Sequence, residues 1–226
     1  MSESAMNIKA IIDAHTNSVI SGNIDMPKGI CIKCQGKPDS FKLHECRKRS
    51  FRFIAECFVY IVMSFLVRWK CPICKATFTD YPPFALPFKR YVVSDIEQLC
   101  SSYLDDPSAT YRKCVSHEKS AIAYHSDHNA IDERQLSHSS LWRWVTFFGN
   151  MRERLASSLD LIHQKCPDPV FTRSLFMNPI SRHKFHSQVR KIILQTAQNF
   201  LISQTLFETI FGTYCFPRFG TANGWI

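Results

Sequence analysis

The chain has 226 residues, 45% of them hydrophobic, which suffices for a buried core and excludes a wholly disordered protein. Its formal net charge is +9, and residues 28–91 alone carry 13 Lys and Arg against four acids. So dense a positive charge indicates a polyanionic partner, because neutralising phosphates releases counterions, although a solvated positive face remains the alternative.

Residues 1–27 are predicted to be an N-terminal extension, weakly structured or helical, with Ile8, Ile11 and Ile12 at helical spacing. They lack the charged and apolar regions of a secretory signal, so we expect a cytoplasmic protein that associates with the nucleoid when it binds DNA. The longest apolar run, residues 54–67, is shorter than the about 20 residues of a membrane-spanning helix, so no membrane association is expected.

Two Cys-x-x-Cys pairs are the strongest signal in the sequence, and 36 residues separate them. The four residues are Cys31, Cys34, Cys71 and Cys74. Four thiolates form a ligand set for one structural Zn²⁺, and they leave no open position on the metal for hydrolytic chemistry. Thiols that are free or joined in disulfides are the alternative.

Other cysteines and histidines leave two further alternatives open. His44 and Cys46 lie between the pairs and could replace one of them as ligands. Histidines in a polar segment are more often solvated, or face nucleic acid, than bound to metal. For that reason a second conceivable ligand set is less favoured; it consists of Cys114, His117, His125 and His128.

Between the cysteine pairs, β-branched and aromatic residues favour strands over a helix. We expect a hairpin whose second strand leads directly into Cys71, as in a zinc ribbon. Residues 77–90 contain three prolines within six positions, which predicts a stiff, extended connector and a domain boundary near Tyr91. Residues 28–91 are therefore predicted to be a zinc-ribbon-like module.

Basic side chains of this module are the predicted phosphate contacts, because Arg and Lys suit that role. They are Arg47, Lys48, Arg49, Arg52, Arg68, Lys70, Lys89 and Arg90. Aromatic residues are interleaved with them, and we expect these rings to pack the module rather than to stack on bases. They are Phe51, Phe53, Trp69 and Tyr91.

Helices are predicted for residues 92–226. A capping-box pattern at Ser94 opens a short helix, and a further helix starts near Thr110. The last helical pattern, residues 181–211, is stopped by Gly212. Its predicted apolar stripe consists of Phe185, Val189, Ile192, Thr196 and Phe200.

A helix is also predicted between Ser137, a good N-cap, and Gly149, a good C-terminal stop, with Leu141 and Phe148 on one face. With the helix before it, it suggests a helix-turn-helix-like unit over about residues 94–149, in which the second helix reads bases. An ordinary amphipathic core helix is the alternative. The outward residues that would face DNA are Ser137, Ser139, Ser140, Trp142 and Arg143.

Catalysis has little support in the sequence. It contains no glycine-rich phosphate loop and no Gly-x-Ser-x-Gly elbow, and His117-Glu118 lacks the second histidine of a His-Glu-x-x-His zinc site. The favoured function is therefore DNA binding without catalysis. A transcriptional regulator, a divergent transposase or nuclease with an unrecognised acidic metal site, and a protein-interaction zinc ribbon stay open.

The sequence from Arg68 to Tyr91, RWKCPICKATFTDYPPFALPFKRY, resembles the zinc-ribbon heads of bacterial transposase-associated proteins from insertion sequences. Residues 136–145, LSHSSLWRWV, are similar to the recognition helix in the helix-turn-helix region of those proteins. The resemblance covers residues 31–149. It implies binding of double-stranded DNA at transposon ends, with Zn²⁺ on the four cysteines and with DNA facing Ser139, Ser140 and Arg143.

Complete transposases of this kind add a ribonuclease-H-like domain with three spaced acids, whereas the residues after Gly149 are predicted to be helical. The resemblance therefore implies a DNA-binding component without its own catalytic domain. Its partners would be a recombinase, or a second copy of the chain through the C-terminal helices. The predicted fold class is α+β, a small zinc-ribbon β module followed by a mainly helical domain with a helix-turn-helix-like unit.

Overall fold

The computed structural model describes residues 3–26, 31, 33–37, 40–56, 58–117, 120–124, 136–167, 186–212, 215 and 219–220. The chain has an α+β fold, as the sequence predicts, and divides into two compact units. Unit 1 comprises Met1–Val93 with Pro217–Ile226, and unit 2 comprises Ser94–Phe216. In the part of the chain that the structure describes, no helix is both long and apolar enough to cross a membrane.

A long antiparallel hairpin forms the centre of unit 1, as the density of β-branched and aromatic residues predicts. It reverses at Glu56, whose φ is 56°. The elements of the unit are α1 (Glu3–Ile20), β1 (Lys42–Ala55), β2 (Phe58–Lys70), β3 (Thr77–Asp80) and β7 (Phe219–Gly220). The sheet order is β1-β2-β3-β7, and every pairing along it is antiparallel.

Helix α1 is fastened to β2 by side-chain hydrogen bonds and by burial. The Thr16 hydroxyl donates to the Ser64 hydroxyl (2.8 Å), and His15 Nε2 lies 3.2 Å from the Phe65 carbonyl oxygen. Ile12 is completely buried against Phe51 and the other core residues of the hairpin. The N-terminal segment is thus a helix that packs on the sheet. Of the two predictions for it, weakly structured or helical, the second is confirmed.

The proline-rich strip is part of the core of unit 1, whereas its composition predicted only a connector. Phe84 and Leu86 are at most 3% exposed. Beyond them, the Arg52 N–H group donates to the Arg90 carbonyl (2.8 Å) and the Val92 N–H group to the Arg52 carbonyl (2.9 Å). Proline has no N–H group to donate, so few backbone hydrogen bonds join the strip to the sheet. Its large apolar side chains provide the other contacts.

Unit 2 is mainly helical. Its elements are α2 (Val93–Asp105), α3 (Tyr111–Cys114), β4 (Ser116–His117), β5 (Ser120–Ala121), β6 (Ala123–Tyr124), α4 (His138–Gly149), α5 (Arg152–Lys165) and α6 (Gln188–Phe211). Strands β4 and β5 pair antiparallel in the segment after α3, a part of the chain for which only helices were predicted. Each strand has two residues, too few for the run of alternating residues by which a strand is predicted from sequence.

Helix α4 packs against α6 through the apolar face predicted for it. Leu141 and Phe148 are completely buried, and the Phe148 ring stacks on Phe200 of α6 with centroids 5.6 Å apart. Gly149 is the last helical residue rather than the terminator, which is Asn150. A Cβ atom at Gly149 would lie 2.4 Å from the Ile193 carbonyl oxygen, so close approach of α6 requires glycine here.

The apolar stripe predicted for α6 is wrong at its N-terminal end. Val189 is 70% exposed and Ile192 is 39% exposed, whereas Thr196 and Phe200 are buried. The buried face also includes Leu194, Ala197, Leu201, Ser203, Gln204 and Phe207. The helix begins after the N-cap Ser187 and ends at Gly212 in the left-handed region, as predicted for its end. Phe185 and the predicted start at Ser181 lie outside the described residues.

The helix-turn-helix-like unit departs from the expected form. Helix α3, which was to precede the recognition helix, is a single turn of four residues with Thr110 as its N-cap. Three short strands follow it, and residues 125–135 lie outside the described part of the chain. A conventional unit has two full helices joined by a short turn, so of the pair α3 and α4 only α4 has the predicted form.

Candidate metal centre and basic cleft

The two Cys-x-x-Cys segments of unit 1 fold into equivalent loops. The Cys31 N–H group donates to the Gly36 carbonyl (2.8 Å), and the Cys71 N–H group donates to the Ala76 carbonyl (2.9 Å). In the same positions the Gln35 and Lys75 N–H groups donate hydrogen bonds to the carbonyl group of the first cysteine of each loop, at 2.7 and 3.0 Å. Both Gln35 and Lys75 have positive φ, 56° and 62°. Each loop therefore directs two sulfurs to one side.

All four sulfurs converge on one point. Cys31 Sγ lies 3.5 Å from Cys74 Sγ, Cys34 Sγ lies 3.5 Å from Cys71 Sγ, and all four lie within 4.8 Å of one another. A disulfide would need about 2.05 Å. Tetrahedral thiolates on a metal with bonds of about 2.3 Å lie about 3.8 Å apart. The cluster can therefore hold one metal ion, as the spacing predicts.

Two thiols of the cluster have pKa values shifted in opposite directions. Hydrogen bonding from the Cys74 backbone N–H group lowers the pKa of Cys71 to about 7. At Cys34 the Gly36 N–H group acts in the same direction, but burial and the neighbouring sulfurs together raise its pKa to about 12. Crowded thiols resist losing further protons, and a divalent cation relieves this repulsion because it binds thiolates.

A compact apolar cluster surrounds the sulfurs. Cys31 and Cys71 are at most 2% exposed, and Trp69, at the end of β2, is 3% exposed. The cluster joins the two loops, α1 and the sheet, and its remaining buried members are Val19, Phe41, Val67 and Phe78. A metal at this place would tie the two loops together, within an apolar cluster that also includes residues of α1 and the sheet.

The alternative ligands do not join this cluster. His44 and Cys46 are exposed on β1, and neither belongs to the group of four. Of the second set, His125 and His128 lie outside the described residues. Within the described residues, the four cysteines are the sole group of three or more His, Cys, Asp or Glu side chains positioned to share a metal.

A basic cleft of about 540 Å³ lies in the same unit. Five of the eight predicted phosphate contacts of the module line it, namely Arg47, Lys48, Arg49, Arg68 and Arg90. Its other lining residues are Leu66, Thr77, Thr79, Tyr81 and Phe88. Arg47 and Arg49 lie on β1 and Arg68 lies on β2, whereas Arg90 belongs to the proline-rich strip. The pairing of Arg68 with Glu45 on one side and Thr79 on the other brings the three strands of this surface together.

Glu45 marks a position where an anion is bound between two arginines. Its Oε2 atom accepts hydrogen bonds from Arg68 Nη1 (3.0 Å) and Arg47 Nη2 (3.2 Å). Hydrogen bonding from Arg47 and then from Arg68 lowers the pKa of this carboxyl group. Arg68 also donates to the Thr77 hydroxyl at 3.1 Å, which fixes its direction. A phosphate oxygen has the same charge and hydrogen-bonding needs as this carboxylate.

Two further arginines are held in place by neighbours. The Arg49 guanidinium donates to the Lys89 carbonyl (3.0 Å) and lies 5.9 Å from the centroids of the Phe51 and Tyr81 rings. Arg90 Nη1 donates to the Ser50 hydroxyl at 2.8 Å. These contacts leave each guanidinium with further N–H donors and reduce the entropy that ordering on a ligand would cost.

The remaining predicted contacts of the module lie elsewhere. The Arg52 guanidinium stands 5.6 Å from the centroid of the Tyr91 ring, and Lys70 is exposed at the end of β2. Lys89 contributes its carbonyl group to Arg49. The interleaved aromatic residues are buried, as predicted, at 0 to 5% exposure: Phe51, Phe53, Trp69 and Tyr91. Sequence reasoning did not select Glu45 or Phe88.

In unit 2, the predicted DNA-facing residues occupy the first turns of α4. Ser137 is the N-cap, and its hydroxyl accepts from the Ser139 N–H group and lies 2.8 Å from the Ser139 hydroxyl. Ser140 is half-buried, and Arg143 is exposed. Trp142 is 47% exposed. Capping therefore uses part of the hydrogen-bonding capacity of the two serines at the helix start.

Arg190 of α6 covers the outer side of α4. Its guanidinium lies 5.2 Å from the centroid of the Trp142 ring, and its Nη1 atom donates to the Thr146 hydroxyl at 2.7 Å. Its Nη2 atom donates to the Tyr111 hydroxyl of α3. Arg190 thus joins three helices, and the sequence offered no signal for it beyond its basic side chain.

No protein-family model, no curated protein sequence and no solved structure matches this chain.

Proposed function

We propose that this chain is a zinc-stabilised DNA-binding protein without a catalytic domain of its own. The observation that carries this proposal is the basic cleft, where five Arg and Lys side chains line one concave surface. Arg47 and Arg68 already share one carboxylate oxygen of Glu45 there. Replacement of that carboxylate by a phosphate group provides charge-assisted hydrogen bonds and releases counterions from the DNA.

Zinc is the metal that best fits the four thiolates, because soft sulfur ligands and a tetrahedral arrangement select it. Four protein ligands leave no position for water or substrate, so its role is structural. The metal fastens the loop at Cys31 to the turn between β2 and β3, and it thereby supports the strand end that presents Arg68. Loss of metal should loosen the cleft as well as the two Cys-x-x-Cys loops.

Base reading is assigned to the start of α4, where Ser140 and Arg143 have suitable side chains. Ser137 and Ser139 are engaged in capping, and Arg190 lies against the Trp142 ring, so Ser140 and Arg143 are the residues assigned to the bases. Association with transposons rests on the sequence resemblance alone. A recombinase, or a second copy of the chain bound through the exposed Val189 and Ile192 of α6, completes the proposed set of partners.

Mutation of the cleft tests the proposal. Arg47→Ala and Arg68→Ala should each weaken binding to a duplex of about 20 base pairs and reduce the salt slope by about one. Lys9→Ala is the matched control, because Lys9 is an exposed cation of the same unit that pairs with Asp13 and does not line the cleft. Equal losses in all three variants would contradict a site in the cleft.

The alternatives predict different results. A nuclease or transposase would cleave or join DNA strands when magnesium is added. A protein-interaction module would lose its partner in the Arg47→Ala variant while its DNA retention stayed the same. Anisotropy with labelled duplex, followed by gel analysis after incubation with magnesium, distinguishes these cases.

A further inference from the structure

A turn in the proline-rich strip places one aromatic side chain at the cleft in a strained conformation. The Lys89 N–H group donates to the Leu86 carbonyl (3.0 Å), which closes a turn with Pro87 and Phe88 at its centre. Phe88 has a φ of 62°. The third position of such a turn is ordinarily Gly or Asn, because other side chains are strained at positive φ.

The Phe88 ring lies outside the buried core cluster of unit 1. Phe88 is 56% exposed, whereas Phe51 and Phe84 of the same unit are at most 3% exposed. Its ring meets that of Tyr81 edge-on, with centroids 6.3 Å apart, and its N–H group lies 3.4 Å from the Tyr81 hydroxyl. Strain at an exposed aromatic residue beside a cleft indicates a ligand contact more than it indicates packing.

The cleft has the size and charge of a site for one nucleotide. Its volume of about 540 Å³ lies within the about 300 to 1,000 Å³ of small-molecule pockets. Arg47 and Arg68 lie where a phosphate would be held, and Tyr81 and Phe88 provide aromatic lining. Bases in a duplex stay stacked and cannot enter such a concavity, whereas an unpaired base can leave the stack and lie on an aromatic ring.

We propose that the cleft binds one unpaired nucleotide at a junction between duplex and single-stranded DNA. Its phosphate lies on Arg47 and Arg68, and its base stacks on Phe88. This inference rests on the proposed function and narrows the partner from duplex DNA in general to duplex DNA with a single-stranded end. Glu45 competes with the phosphate for the two guanidinium groups.

Three probes test the proposal with the full, zinc-loaded chain. They are a blunt duplex of about 20 base pairs and the same duplex with an overhang of about three nucleotides at either its 5′ or its 3′ ends. We expect one overhang probe to bind about tenfold more tightly than the blunt duplex, since one base–aromatic stack accounts for that factor. Phe88→Leu should bring this ratio close to one, and Phe88→Trp should preserve it.

Phe88→Gly separates a binding role from a structural one. Glycine relieves the positive φ, so the melting temperature should stay the same or rise while the preference for the overhang disappears. Phe58→Leu, at another exposed phenylalanine of unit 1, should keep the preference. A lower melting temperature in Phe88→Gly, together with an unchanged preference, would overturn the assignment of Phe88.

The outcomes also separate this inference from the proposed function. Equal binding of all three probes by the unmodified chain would overturn the unpaired-nucleotide site and leave DNA binding in place. An overhang preference that survives Phe88→Leu would likewise overturn it. No binding to any probe would refute both.

Discussion

The Sγ atoms of Cys34 and Cys71 lie 3.5 Å apart although 37 positions separate the two residues. Each belongs to its own loop, and the two loops repeat the same pair of backbone hydrogen bonds. Two short loops of this kind have no apolar core of their own, so their approach depends on the surrounding cluster and, in our account, on a metal.

Replacement of one ligand should therefore remove both metal and stability. In Cys71→Ser we expect the metal content, measured by mass spectrometry, to fall from one zinc per chain to none. Because structural zinc contributes on the order of 10 kcal/mol to such modules, unit 1 should lose its cooperative thermal transition.

Cys46→Ser is the matched control for this change, since Cys46 is an exposed cysteine on β1 of the same unit. It should keep one zinc and the melting temperature of the unmodified chain. Retention of metal and stability by Cys71→Ser would show that the four sulfurs do not form a closed metal site.

Contact between α4 and α6 should make Gly149 intolerant of any side chain. Gly149→Ala would place a Cβ atom 2.4 Å from the Ile193 carbonyl oxygen, which cannot move without shifting α6. We expect a loss of about 2 to 3 kcal/mol in the free energy of unfolding, measured by urea denaturation. Gly212→Ala, which meets no atom within 4 Å but has a φ of 63°, should cost only about 1 kcal/mol.

A half-buried carboxyl group in unit 2, that of Glu97, should make stability fall with rising pH. Burial and then the charge of Glu208 raise the pKa of Glu97 to about 8, from its ordinary value of 4.5. Between these values the folded chain holds a proton that the unfolded chain has lost, so the free energy of unfolding falls as pH rises through this window.

Glu97→Gln should abolish this dependence. The variant should melt at a higher temperature than the unmodified chain above about pH 8 and close to it below about pH 5. Glu153→Gln, an exposed position of α5, is the control and should leave the pH dependence as it was. Parallel pH profiles for the unmodified chain and Glu97→Gln would contradict the assignment.

Arg190 should act as a clamp for α4 that lysine cannot replace. Its fork contacts Thr146, Tyr111 and the Trp142 ring at once, and an ammonium group cannot reproduce that geometry. Both Arg190→Lys and Arg190→Ala should lower the free energy of unfolding by about 1 to 3 kcal/mol and change the Trp142 fluorescence. Gln188→Ala, at an exposed position two residues earlier, should change neither quantity.

Local signals were sufficient for the parts of the fold that depend on few residues. The density of β-branched and aromatic residues predicts the hairpin, and the Cys-x-x-Cys spacing predicts the two cysteine loops. Ser137 acts as the N-cap predicted for α4, and Gly212 terminates α6.

Contacts between distant residues decided the parts that sequence reasoning missed. Gly149 was interpreted as a stop signal because its real constraint, the Ile193 carbonyl, lies 44 positions away. In α6, Val189 and Ile192 fit a periodic stripe, but the buried face is set by the helices that pack on its later turns. The basic residues of the cleft were evident individually, whereas their convergence depends on the register that pairs Glu45 with Arg68.

Titration of the zinc-loaded chain with duplex DNA at several salt concentrations tests whether the chain binds DNA through phosphate contacts. We predict a dissociation constant that rises steeply between about 50 and about 200 mM salt, with a log–log slope that corresponds to several phosphate contacts. Removal of zinc should abolish this binding because the cleft loses its support. Absence of salt-dependent binding by the zinc-loaded chain near physiological ionic strength would contradict the account.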